Sequence, residues 1–156
     1  MKGDPAVIEA LNEHLTTELT VINQYFVHAK MCKNWGYQKL AAKFHEESIE
    51  EMKHADAIID RILYLEGIPN MQRLNSVEVG ETVAEQLQVM YECEKVATGN
   101  LNGYIATCRE KSDNGTRELF EKILVEEEDS VDWLESQLDL IKQVGKEHYL
   151  AQQINP

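Results

Sequence analysis

The chain is poor in cysteine, proline and positive charge, and it has no long apolar run. Cys32, Cys93 and Cys108 are the only cysteines among 156 residues. Their number is odd and no Cys-x-x-Cys pair occurs, which excludes a disulfide framework and fits a reduced, cytoplasmic protein. Each reads as a small helical hydrophobe. Lys and Arg number 15 against 28 Asp and Glu, a formal net charge of -13. That balance excludes nucleic acid and anionic membrane surfaces as partners and suits cations or basic ones. No stretch approaches the ~18 apolar residues of a membrane span. Met1-Lys2-Gly3-Asp4 lacks the apolar core of a signal peptide. Sustained polar–apolar alternation, the signature of strands, is also missing. Hydrophobic residues still make up 43%, enough to build a core in one domain covering residues 1–156.

What is present is helical period. Asp4-Pro5 reads as an N-cap followed by proline at the first helical position. The first helix runs to about Asn34, where Trp35-Gly36 turns the chain. The second runs from about Gln38 to Glu66 and is stopped by Gly67-Ile68-Pro69-Asn70. Residues 67–80 have no helical period. Thr82 with Glu85 is a capping box opening a third helix, which Ser112-Asp113-Asn114-Gly115 ends. A fourth runs from about Thr116 to Val144, and a short fifth occupies Lys146 to Gln152. Two short turns and one long middle connection predict an all-α, four-helix bundle with a single crossover, the ferritin-like arrangement.

Each long helix carries an apolar stripe, and a glutamate interrupts each stripe at a matching depth. Leu11, Leu15, Glu18, Ile22 and Tyr25 form the first. Phe44, Ser48, Glu51, Ala55 and Ile58 form the second. Leu87, Met90, Glu94, Ala97 and Leu101 form the third, and Phe120, Ile123, Glu127, Val131 and Leu134 the fourth. A lone buried carboxylate costs several kcal/mol, so it must be neutralised, paired or metal-bound. Four at one depth predict a shared metal site. Glu51-Met52-Lys53-His54 adds an imidazole on the face of Glu51. Single glutamates combined with Glu-x-x-His motifs are the general ligand scheme of ferritin-like di-iron proteins.

The runs Ile22-Asn23-Gln24-Tyr25, Glu47-Ser48-Ile49-Glu50-Glu51-Met52-Lys53-His54-Ala55-Asp56, Leu65-Glu66-Gly67 and Asp132-Trp133-Leu134-Glu135 resemble the bacterioferritins, as does the opening Met1-Lys2-Gly3-Asp4. The resemblance covers essentially the whole chain. It implies a hollow cage of twenty-four subunits that stores ferric mineral, a dinuclear ferroxidase centre, and haem b between paired subunits. It also implies a ferredoxin-like electron donor. Carried over position by position, the metal and catalytic residues are Glu18, Glu51, His54, Glu94 and Glu127, with Tyr25 near the centre and Trp133 beyond it. The methionine that binds haem iron falls at Met52. Leu19, Ile22, Asn23, Phe26 and Ile49 would wall the haem pocket.

One position departs from the family pattern. The sixth ligand should be a histidine, and this chain has Ser130. A neutral hydroxyl is a poor ligand beside an imidazole, so one of the two iron sites is expected to be weakened. Three consequences stay open: water or a shifted carboxylate completes the centre; the subunit relies on a complete partner subunit in a mixed cage; or the change is incidental in a homo-oligomer. Glu128 and Asp129 are expected to point away from the Ser130 face. The acidic run Glu46, Glu47 and Glu50 reads as a solvated surface.

Overall fold

The computed structural model describes all 156 residues as five helices: α1 (Pro5–Asn34), α2 (Gln38–Tyr64), α3 (Val83–Glu110), α4 (Asn114–Val144) and α5 (Lys146–Ala151). The bundle is the predicted ferritin-like one. α1 pairs with α2 and α3 with α4 across short turns, and α1 packs on α3. No helix is long and apolar enough to cross a membrane.

Local chemistry sets the helix ends. The Asp4 side chain accepts from the Ala6 N–H at 2.8 Å, with Pro5 at the first helical position. Gly36 turns the chain after α1 with φ 91°, a conformation open to glycine at no steric cost. The N–H of Glu85 donates to Thr82 Oγ1 at 3.2 Å, while the Glu85 carboxylate reaches back to the N–H of Glu81 rather than to that of the cap. Two boundaries differ from the sequence reading. α2 ends at Tyr64, because Glu66 itself adopts the left-handed conformation (φ 63°) and its N–H closes on Leu63. Gly67 serves close packing instead, since a Cβ there would stand 2.8 Å from the Ile8 side chain. α4 begins at Asn114, because Asp113 is its N-cap and accepts from the Thr116 N–H.

The crossover is held along a polar rail on α1. Asn12 Oδ1 accepts from the Asn70 N–H, Thr16 Oγ1 from Arg73 Nε, Thr20 Oγ1 from the Asn75 N–H, and His28 Nε2 from the Gly80 N–H. These side chains recur every four or eight residues, one face of a helix. Three of the four give partners to backbone N–H groups that no helix or sheet would satisfy. At the far end, Tyr149 of α5 is buried and donates its hydroxyl to Gln137 of α4.

The apolar core is in two pieces. One contains Leu11, Leu15, Ile58, Ile62, Leu101, Phe120 and Ile123, and the other Val21, Tyr25, Phe44, Leu87, Met90 and Leu134. The four stripe glutamates lie in the sequence gap between the two pieces on every helix.

Candidate metal centre

Glu18, Glu51, His54, Glu94 and Glu127 are all buried, none more than 7% exposed. Four of them converge. One ligand atom from each of Glu18, Glu51, His54 and Glu127 lies within 4.8 Å of every other. The helical offset of three between Glu51 and His54 turns both toward the axis. His54 Nδ1 stands 3.1 Å from Glu127 Oε1, 3.3 Å from Glu51 Oε2 and 3.7 Å from Glu18 Oε1. Its other nitrogen, Nε2, contacts Glu126 Oε2 in a short ion pair. A carboxylate on the remote nitrogen is the usual device for aiming an imidazole at a metal.

Three packed carboxylates cannot all carry charge without compensation. Burial, and then the charges of Glu18 and Glu127, raise Glu51 well above the usual carboxylate range. Burial and the Glu18 charge raise Glu127 as well, against hydrogen bonds from His54 and Glu51. Burial would raise Glu18 too, but the His14 charge and hydrogen bonds with Glu51, His14 and His54 hold it well below that range. Burial would lower His54, yet its hydrogen bonds to Glu127 and Glu18 and the Glu18 charge push it up to about 11. Protons on His54 and Glu51 therefore do what a cation would do. A divalent ion entering the cluster has to displace them.

Glu94 stands apart from these four. It is completely buried, and neither carboxyl oxygen has a hydrogen-bond partner. Orphaned buried oxygens of this kind are rare in proteins and ask for an ion or a donor. The donor set of carboxylates and one imidazole suits a first-row divalent metal, so the residues fit the metal that the sequence implied.

Ser130 lines the same cavity as Glu51 and His54 but hydrogen-bonds to none of the four cluster residues. Its hydroxyl donates to Glu47 Oε2 at 3.0 Å, and Lys43 Nζ pairs with Glu47 Oε1 at 3.0 Å. Glu47 is thus buried and bonded, contrary to its reading as solvated surface. A cavity of about 150 Å³ adjoins this pair, lined only by polar residues: Lys43, Glu47, Glu50, Glu51, His54, Glu126, Asp129 and Ser130. Asp129, expected to point away, shares that lining with Ser130.

Tyr25 is buried with its ring 5.9 Å from that of Phe44, and its hydroxyl has no hydrogen-bond partner. Burial and the nearby charges of Glu47, Glu51 and Glu127 raise its pKa well above the ordinary phenol value. Trp133 packs edge-on against Phe44 and lies under Lys43. On the outside of the α1–α2 hairpin, Phe26, Ile49 and Met52 are exposed, Met52 at 52%. Leu19 and Ile22 are half-buried, and Asn23 is exposed. A solvent-facing thioether among exposed apolar side chains makes an apolar patch that suits a large apolar ligand.

Three residues at the centre lie outside the set that the sequence pointed to: His14, Glu47 and Glu126. His14 and Glu47 each lie four residues from a recognised glutamate, Glu18 and Glu51. The signal was the same-face spacing.

Comparison with known proteins agrees with this architecture. The ferritin-like domain family matches residues 8–144. A bacterioferritin of Mycobacterium leprae is 50% identical over 152 residues, covering 97% of this chain and 96% of the relative. One from Streptomyces coelicolor is 50% identical over 151 residues, 97% of this chain and 90% of its own length. One from Brucella melitensis is 42% identical over 149 residues, 96% and 92% of the two chains. With a bundle of the right topology, carboxylates at one depth and relatives matched nearly end to end, the chain belongs to the bacterioferritins of the ferritin-like family.

Proposed function

We propose that this chain is an iron-storage subunit of a bacterioferritin cage, that it binds Fe(II) at the Glu18–Glu51–His54–Glu127 cluster, and that Ser130 leaves the second iron position unfinished. The observation carrying this reading is the convergence of three carboxylates and one imidazole within 4.8 Å in the core. Iron is the substrate. His54 Nδ1 and Glu18 bind the first ion, while Glu51 and Glu127 bridge toward the second, and Glu94 holds that one from α3. The proton on Glu51 and that on His54 leave as the ion enters. Hard carboxylate oxygens favour Fe(III) over Fe(II), and dioxygen accepts one electron from each iron. The ferric product then moves to the mineral.

Met52, with Leu19, Ile22, Asn23, Phe26 and Ile49, would hold haem b between this subunit and a second copy. Bound there, haem supplies electron transfer to the mineral, and thioether ligation raises its potential. A ferredoxin-like protein is the proposed donor.

A second reading follows from the Ser130–Glu47 hydrogen bond. The hydroxyl is engaged by Glu47 and is not offered as a ligand, so this subunit would carry haem in a mixed cage whose other subunit has the complete oxidation centre. Stopped-flow oxidation of Fe(II) by dioxygen in the assembled chain separates the two. A fast phase saturating near two irons per subunit makes the chain a ferroxidase in its own right. Slow, unsaturated oxidation that Ser130→His accelerates assigns it the haem-bearing role.

A further inference from the structure

His14 has no part in the ligand set, yet it is one of the most buried polar residues in the molecule, 1% exposed. Its ring lies in an aromatic slot, edge-on to Phe120 at 6.0 Å and to Tyr104 at 6.2 Å. Neither ring nitrogen makes an aligned hydrogen bond, and Nδ1 has no polar partner. Nε2 stands 2.5 Å from Glu18 Oε1. A buried polar group without partners is costly, and a phenylalanine would fill a slot between two aromatic rings without that cost. Packing therefore does not explain an imidazole at this place. The contact with Glu18 does, because only a polar ring brings a nitrogen to that carboxylate oxygen.

The two oxygens of Glu18 are used differently. Oε1 meets His14 and also lies 3.7 Å from His54 Nδ1, and Oε2 is buried with no hydrogen-bond partner. We infer that His14 is a positioning residue: it holds Oε1 of Glu18 and so fixes the direction in which that carboxylate meets the first metal ion. The helix supplies the geometry, since His14 and Glu18 are four apart and the imidazole lies one turn along α1 from the carboxylate it holds. Glu126 does the corresponding work for His54 through its contact with Nε2. Both side-chain ligands particular to the first ion thus have an outer partner, and carboxylate–imidazole contacts of this kind orient ligands in metal sites generally.

The inference rests on the metal reading above, and the test keeps the two apart. Co(II) is titrated anaerobically into the full-length, assembled chain and its visible ligand-field absorption is followed, with thermal melts of the metal-free protein alongside. His14→Phe keeps an aromatic ring in the slot and is expected to weaken binding of the first Co(II) by about 10- to 100-fold. It should also change the band shape, while the metal-free protein melts no lower than the native chain. His14→Gln, which retains an N–H for Oε1, is expected to recover most of the affinity. Native affinity and an unchanged spectrum in His14→Phe overturn the inference. So does an equal loss in both variants accompanied by a lowered melting temperature, which marks structural damage. A native chain whose Co(II) spectrum is indifferent to His54→Ala overturns the metal reading itself, whatever His14 does.

Discussion

The two halves of the buried centre are built to different standards. On the His54 side every ligand is held: His54 by Glu126, Glu18 by His14, and both by the proton-sharing cluster with Glu51 and Glu127. On the Glu94 side nothing is held. Glu94 carries two orphaned oxygens, and Ser130 donates to Glu47, whose other oxygen pairs with Lys43. One replaced side chain does not explain this by leaving a gap alone. A histidine at position 130 would offer a nitrogen lone pair to a metal, whereas the serine hydroxyl donates to the neighbouring carboxylate of Glu47. The Ser130 hydroxyl thus belongs to the hydrogen-bond network around Glu47.

The strongest way to break the comparison is to remove a shared ligand. Glu51→Ala is expected to weaken binding at both positions by more than about 100-fold, beyond the 10- to 100-fold typical of losing an outer partner; calorimetric titration with Co(II) measures it. Glu94→Ala, by contrast, should leave the first ion bound with native affinity. Ser130→His sharpens the comparison by completing the weaker half, and single-turnover Fe(II) oxidation should rise by about 10-fold or more if one imidazole ligand has the value of an outer-partner loss or greater.

Proton linkage comes next. A low pH keeps the protons on His54 and Glu51 and opposes the metal, and a high pH releases them. Affinity for the first ion should therefore climb as pH rises from 6 to 8, by about tenfold per unit for each proton displaced. The sign is opposite for the metal-free fold. His54 is raised from 6.5 to about 11, so its stabilising contribution is full below pH 6.5 and is lost as pH rises through about 11. Metal-free melts across that alkaline window check it.

The smallest expected effect is on stability. Glu94→Leu removes two buried unpartnered oxygens and is expected to stabilise the metal-free chain by about 1–3 kcal/mol, read as a higher melting temperature, while eliminating the second ion. A gain in stability with a loss of function is the behaviour of a site kept for its chemistry.

Much of this was legible in the sequence, and for a physical reason. Periodicity within one helix reports which residues share a face, so spacing alone puts Glu18, Glu51, His54, Glu94 and Glu127 at one buried level. Caps at Asp4 and Thr82 and the turn at Gly36 are equally local. What was not legible is contact between helices. Glu47 reads as surface because its partner Ser130 is 83 residues away. Glu126 carries no signal of its own beside Glu127, and only the approach of α2 brings His54 to it. The left-handed residue closing α2 is Glu66 rather than Gly67, because tertiary packing against Ile8 claimed the glycine.

The central claim, one finished half and one unfinished, is tested most directly by anaerobic calorimetric titration of Fe(II) into the assembled chain and its Ser130→His variant. The expected result is one tight ion per subunit in the native chain and two in the variant. Two equally tight ions in the native chain would contradict it.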